Sequence, residues 1–373
     1  MQNYNIRLVG HPFAPIGMGE HLRSTFRSLR AASLMPSITD IYKLNTPTHE
    51  EQNELFPACS DTPASINIYC INGNEVEQAV KHLSYQETWS GYNIIYPAWE
   101  LSRYPETWAA QLDKFDEIWA SSTFTYEALR NACKKEVVKL PLACGVSLSS
   151  FLGRRYFQIP ESSYAFLFFF DLKSYTSRKN PYAVINAFKQ LLKLRPYSKA
   201  HLVIKINGAE SNPEEFKKVT EALGILGDNA TCISHTMTSN EVKNLQRNCD
   251  CFISLHRSEG FGFGIAEAMA FGKPVIATAY SGNLEFMDAN VSYGVNYQLI
   301  PLGESDYPFA DGQVWADADS NEAAQHMAYL IDSPQTGREK GKQAQAHMEK
   351  KFSHRAIGLN YLNRIERIQN TYK

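Results

Sequence analysis

The sequence predicts an α/β protein built from two doubly wound domains, each a parallel sheet covered by helices. Three observations carry this. Short apolar runs alternate with helical patterns from end to end. The runs are apolar on both faces, as strands of a covered parallel sheet must be. The alternation also comes as two consecutive series, one per domain. A length of 373 residues suits two domains with separate cores.

In the first series, strands are expected at Tyr4–Val9, Ile66–Ile71, Tyr92–Tyr96, Glu117–Ala120 and Val137–Leu140. Helical spacing lies near Gly19–Ala32, Glu75–Leu83, Thr107–Phe115 and Thr123–Cys133. The polar stretch Gly145–Pro160 reads as a linker, which gives a first domain of residues 1–150 and a second of 151–353. The second series has strands near Ala165–Phe170, His201–Ile206, Thr231–Ile233, Cys251–Leu255 and Val275–Ala277. Its helices fall near Pro181–Leu194, Pro213–Leu223, Asn240–Arg247, Gly264–Phe271 and Asn321–Ile331. The tail is helical, and residues 354–373 carry Ile357, Tyr361, Ile365 and Ile368 at helical spacing, suited to packing back on the first domain.

A net charge of -2 gives no support to nucleic-acid binding driven by overall charge. The seven cysteines are scattered and odd in number, which fits reduced thiols better than a disulfide framework. Ile6–Val9 already reads as a strand, so no leader is expected before it. The longest wholly apolar run, Tyr164–Phe170, is far short of the ~20 residues that span a bilayer. A cytoplasmic protein is expected, one that could sit peripherally at the inner membrane face.

The most informative stretch runs from Ser254 to Pro274. It leaves a buried strand, breaks at a turn with Gly260, Gly262 and Gly264, and enters a helix that stops at Gly272. Glu259 in the turn and Glu267 in the helix frame it. Glycines let backbone amides approach a ligand at a helix N-terminus, which favours anions, and a carboxylate can accept two hydroxyls of a sugar or ribose. A nucleotide sugar satisfies both. Earlier in the same series, Arg178 and Lys179 precede a helix opened by Pro181, and adjacent cations there suit a diphosphate.

In the first domain the turn from Gly10 to Gly19 lacks the third glycine of a dinucleotide fingerprint, but Gly17 could bring amides near a phosphate. The next helix carries Arg23, Arg27 and Arg30 along one side, read either as a solvated face or as a stripe for an anionic donor or lipid-linked phosphates. Asp317-Ala-Asp319 has the spacing of a metal motif, but two carboxylates alone seldom fix a metal, and Asp319 or Ser320 is expected to serve as a helix N-cap instead.

The block His256-Arg-Ser-Glu-Gly-Phe-Gly-Phe-Gly-Ile-Ala-Glu-Ala-Met-Ala-Phe-Gly-Lys-Pro274, continuing to Met287, resembles the signature of family 4 retaining glycosyltransferases. The likeness extends through Trp99–Arg103, Ile118–Ser122, Arg178–Pro181 and Tyr280–Asn283. It implies the GT-B fold, two Rossmann-like domains facing an interdomain cleft, with donor bound by the second and acceptor by the first. It implies no metal and no cofactor beyond the nucleotide-sugar donor.

Carried over by position, the resemblance gives Glu267 the ribose, Glu259 the transferred sugar, and Arg178 and Lys179 the diphosphate leaving group. Phe261, Gly262, Phe263 and Gly264 would face sugar or phosphate, as would Ser281, Gly282 and Asn283 from a second turn. Gly17 would close over the donor from the first domain. Ser174, Asn207, Gly208 and Met237 complete the expected donor site, the last three near the base. Glu100 stands beside Trp99 where many members have a histidine, and with Arg23 it is the acceptor-side expectation. The function implied is retaining transfer of a hexosyl group, from GDP-mannose or a UDP-hexose, to a glycan, lipid-linked or other hydroxyl acceptor. The alternatives are a nucleotide-sugar epimerase or hydrolase on the same fold, or a non-catalytic sugar-binding subunit.

Overall fold

The computed structural model describes residues 4–83 and 89–371. The chain divides into two compact units, Met1–Cys144 with Lys350–Lys373, and Gly145–Glu349.

The first unit holds β1 (Ile6–Gly10), α1 (Gly17–Ala31), β2 (Ser37–Asp40), α2 (His49–Glu54), β3 (Ile66–Tyr69), α3 (Val76–Leu83), β4 (Tyr92–Ile95), α4 (Glu106–Leu112), β5 (Glu117–Ala120), α5 (Thr123–Ala132) and β6 (Val137–Lys139). Its six strands pair in the order β2-β1-β3-β4-β5-β6, all in parallel. Strands β1, β3 and β5 are buried along their whole length, as their apolar runs require. The polar edge strand β2 buries only its central Ile38 and Thr39. Four residues, three of them polar, give too weak a pattern to be read from sequence.

The second unit continues with β7 (Tyr164–Asp171), α6 (Thr176–Lys179), α7 (Pro181–Leu194), β8 (Ala200–Asn207), α8 (Pro213–Gly224), β9 (Ala230–Ile233), α9 (Ser239–Asn248), β10 (Cys251–Ser254), α10 (Phe263–Ala270), β11 (Val275–Thr278), β12 (Tyr293–Val295), β13 (Tyr297–Pro301), β14 (Val314–Ala318), α11 (Ser320–Asp332) and α12 (Pro334–Phe352). Its main sheet is β12-β11-β10-β7-β8-β9, again parallel throughout. Phe166, Phe168 and Phe170 of β7 meet Val184 and Phe188 of α7 and Leu202 and Ile204 of β8 in its core. Each such side chain contributes roughly 1.5–3 kcal/mol by leaving water. Strands β13 and β14 form a separate antiparallel pair, a departure from the all-parallel expectation. β13 is mostly exposed, so neither a continuous apolar run nor a clean alternation announces it.

The chain returns to the first unit inside α12, and α13 (His354–Thr371) packs on α1. The approach is backbone to backbone, since a Cβ on Gly358 would lie 2.0 Å from the Ser28 carbonyl oxygen. Tyr361 is fully buried, stacks on Trp119 and donates to the Pro141 carbonyl at 3.1 Å. Arg364 pairs with the fully buried Glu117 through two hydrogen bonds of 2.9 and 2.7 Å.

Candidate functional site

In the second unit the strands wind outward in opposite directions from the β7/β10 pair: β8 and β9 to one side, β11 and β12 to the other. Such a reversal opens a crevice at the carboxyl ends of the central strands, where ligands of open α/β sheets bind. The segments leaving β7 and β10 at that end carry Arg178 with Lys179 and Glu259, so residues eighty positions apart in sequence become neighbours.

They form one ionic cluster. Glu259 accepts from Arg178 Nη1 at 3.2 Å through Oε2 and from Lys179 Nζ through Oε1. Arg178 also donates to the Ser258 carbonyl at 3.0 Å and is itself buried. Burial alone would raise the Glu259 carboxyl, but the charges of Lys179 and Arg178 outweigh it and bring it down to about 2. Glu259 is therefore a fixed anion and no proton donor at neutral pH. Two adjacent cations thus face this one carboxylate.

The turn around Glu259 is held by the turn that follows β11. Glu259 N–H donates to Ser281 Oγ, and Gly282 N–H donates to the Glu259 carbonyl, both at 2.8 Å. A Cβ on Gly282 would lie 2.0 Å from the Gly260 carbonyl oxygen, so only glycine permits this crossing. Asn283 is fully buried; its Nδ2 donates to the Thr278 carbonyl, which leaves Oδ1 facing His256 Nε2 at 3.0 Å. A carbonyl oxygen can only accept, so His256 carries its proton on Nε2 and its Nδ1 accepts from Ser254 Oγ. Burial holds the His256 pKa below its ordinary value. This His256–Asn283 brace was not singled out from sequence, although His256 opens the motif block.

Gly262 caps α10 in a left-handed conformation, φ 93°, which glycine takes without strain. Phe261 is buried and Phe263 half-buried, with their rings in edge contact. Gly264 has a packing reason beside the ligand approach its motif suggests. A Cβ there would meet the Phe169 ring at 2.8 Å, so this glycine lets α10 pack against β7. Glu267 lies half-buried one turn along α10 and accepts from Gln246 of α9 at 3.2 Å.

On the other flank, Ser174 ends a short 3-10 turn after β7 and is half-buried. Asn207 ends β8 beside Asp171, and its side-chain oxygen accepts from the buried Lys205. Gly208 follows at φ 74°, where a Cβ would lie 2.9 Å from Asp171 Oδ1. Met237 is half-buried just before α9, whose N-terminus is closed by the Thr238–Glu241 capping box.

Two expectations change. Arg23 is not presented to an acceptor: Nε pairs with Glu20 at 2.9 Å, and Nη1 donates to the Pro12 and Ala14 carbonyls and faces Glu51. It holds the loop after β1 in shape. Arg27 likewise forks onto Glu54 at 2.8 Å, so these two cations give no argument for a membrane surface. Asp317 and Asp319 point to separate tasks, Asp317 facing Arg257 at 3.3 Å and Asp319 capping α11 through the amides of Asn321 and Glu322. In the first unit Gly17 opens α1, exposed and with open space around a Cβ, while Glu100 lies half-buried in the loop after β4.

The family model of "Glycosyl transferases group 1" matches residues 157–346, about half of the chain, a span that includes Arg178, Lys179, Glu259 and Glu267. The chain belongs to the group 1 glycosyl transferases. Among relatives of this glycosyltransferase, a trehalose synthase of Pyrococcus horikoshii is 30% identical over 128 residues, 34% of this chain. The match spans 26% of that protein's length. Among solved structures, HepE of Anabaena in complex with UDP and glucose is similar over 97% of this chain and 99% of its own, with a TM-score of 0.71 at 13% identity. Sucrose-phosphate synthase from Thermosynechococcus elongatus has a TM-score of 0.69 at 16% identity and is covered over 99% of both chains. At these identities the structures establish the fold, GT-B with its two Rossmann-like domains. No helix among the described residues is long and apolar enough to cross a membrane.

Proposed function

We propose that the chain is a retaining, metal-independent hexosyltransferase that takes its sugar from a nucleoside diphosphate and passes it to a hydroxyl of a glycan or lipid-linked acceptor. The observation that carries this is the Arg178–Lys179–Glu259 cluster at the β7/β10 crevice, where two adjacent cations converge on one carboxylate.

Glycosyl transfer is difficult because a diphosphate must depart while positive charge grows at the anomeric carbon. Arg178 and Lys179, fixed before the reaction in a largely buried site, would stabilise the leaving oxygens electrostatically. A diphosphate entering beside them competes with Glu259 for both cations. That exchange would release the Glu259 oxygens toward hydroxyls of the transferred sugar. Glu267, oriented by Gln246, would receive the ribose diol, and the first amides of α10, which have no acceptor inside the helix, would face sugar or phosphate. Asn207, Gly208 and Met237 are the proposed base side. Same-face attack assisted by the departing phosphate is the route to retention that we propose, with Glu259 turned to the hydroxyls of the transferred sugar.

UDP is the diphosphate in the HepE complexes, and we place a UDP-hexose ahead of GDP-mannose as donor on that ground. Thermal shift against UDP, GDP, ADP and dTDP tests the donor class, because a ligand of the native state raises the melting temperature. UDP should give the largest shift, and Lys179→Ala should lose at least tenfold in UDP affinity, measured at a temperature where the ligand-free variant is still fully folded. Equal affinity in Lys179→Ala would refute the diphosphate role. Release of free hexose or of an altered nucleotide sugar without acceptor would point instead to a hydrolase or epimerase.

A further inference from the structure

The antiparallel pair β13–β14 lies outside the parallel architecture, and its connecting loop reaches the cationic cluster. The pair is tied to the Glu259 turn by the bond from Ala316 N–H to the Arg257 carbonyl, 3.0 Å. Arg257 itself stacks its guanidinium on Trp315 of β14 at 5.4 Å and donates to the Ser177 carbonyl of α6 at 2.8 Å. The loop between the two strands has its own internal bonds: Gly303 N–H to Asp306 Oδ2 at 2.8 Å, and Gln313 Nε2 to the Phe309 carbonyl at 3.0 Å. Tyr307 lies between the two bonded stretches of this loop.

Tyr307 meets the cluster twice. Its ring lies 5.8 Å from the Arg178 guanidinium carbon and 4.7 Å from the Tyr175 ring. Tyr175 has φ 62° and ψ 105°, a conformation that a bulky residue keeps only where its surroundings hold it. The Tyr175 carbonyl accepts the amides of both Arg178 and Lys179, at 3.0 and 3.1 Å, so the two cations start from this strained residue. Tyr307 therefore supports one cation through its face and the backbone of both through Tyr175.

We infer that Tyr307 is a positioning residue for donor binding: its ring holds Arg178 and the strained Tyr175 turn in the geometry that receives the diphosphate, which makes the β13–β14 loop a part of the donor site. The inference rests on the donor reading above and names a residue outside the signature block. An aromatic face attracts a guanidinium without using its N–H groups, leaving them aimed at oxygen. The ring carries the effect, so phenylalanine should replace tyrosine here and an aliphatic residue should not.

The test measures, by calorimetry on the full chain, the affinity of the nucleoside diphosphate that the unmodified protein binds best. Tyr307→Phe should bind as the unmodified chain does. Tyr307→Leu should bind about fivefold or more weakly, with donor KM raised more than kcat is lowered and the ligand-free melting temperature nearly constant. If the leucine variant melts early, Tyr307→Met, long and apolar but without a ring, takes its place. Undiminished affinity in the ring-less variant overturns the inference and leaves the donor reading standing. Equal loss in the phenylalanine and leucine variants also overturns it, since the hydroxyl would then matter. An unmodified chain that binds none of the four diphosphates refutes the donor reading, and this inference with it.

Discussion

Replacing Glu259 with glutamine removes one negative charge from between two largely buried cations and leaves the shape of the side chain unchanged. The carboxyl stands at about 2 in the folded protein against 4.5 as a free group, a difference of about 2.5 units. At ~1.4 kcal/mol per unit, the charged carboxylate contributes about 3 kcal/mol at neutral pH. The same size follows independently from the roughly 3–5 kcal/mol lost when one member of a buried ion pair is removed. Because the folded pKa is the lower one, the contribution is complete above the unfolded value of 4.5 and fades as pH falls through about 2. Urea unfolding of both proteins should thus show a gap of about 3 kcal/mol at pH 7, shrinking to about 1.4 kcal/mol at pH 3. Turnover should fall severely, since the transferred sugar would lose its carboxylate. A gap below about 1 kcal/mol, or one that does not narrow in acid, would refute the view that Glu259 is clamped by Arg178 and Lys179.

Gly358→Ala should destabilise the first unit by about 1–3 kcal/mol, because the new methyl meets the Ser28 carbonyl oxygen at 2.0 Å and must push α13 off α1; an unchanged urea midpoint would contradict that close approach. His21 is buried edge-on against Tyr96, and burial lowers its pKa from 6.5 to about 3. The unfolded chain then binds the extra proton first, so stability falls as pH drops below 6.5, by about 2 kcal/mol between pH 7 and pH 5. His21→Phe should remove that part of the slope, and an identical slope in the variant would exclude His21 as its source.

How far the sequence reached depended on the range of the signal. The paired series of apolar runs specified two α/β domains because each strand, buried on both faces, writes its own pattern. β2 and β13 escaped because an edge strand and a half-exposed pair bury too little to do so. In the site, Arg178-Lys179 and Glu259 could each be singled out locally, as a cation pair before a helix and a carboxylate in a glycine turn. Their mutual pairing could not, since it depends on β7 lying next to β10, a matter of strand order. Gly264 shows the opposite hazard: a glycine inside a ligand-like motif answers to Phe169 behind it. Arg23 is similar, a basic residue whose partners Glu20, Glu51 and two loop carbonyls become visible only when the loop after β1 folds over it. Tyr307 gave no sequence signal, standing in a polar segment between two short strands.

The return of the chain to its first unit has a consequence for synthesis. Glu117, fully buried at the start of β5, has its arginine partner at position 364, and the Trp119 ring is covered by Tyr361. A nascent chain that has just produced residues 1–144 therefore holds a carboxylate that Tyr92 and Trp119 already bond but whose arginine is still missing, and an aromatic face that Tyr361 does not yet cover. The second unit, contained in Gly145–Glu349, is complete in sequence before the first receives its closing helix. Vectorial folding would thus run in reverse order of appearance: the later-made unit can reach its final state first, while the earlier-made one waits, open along α1, for the last two dozen residues to arrive.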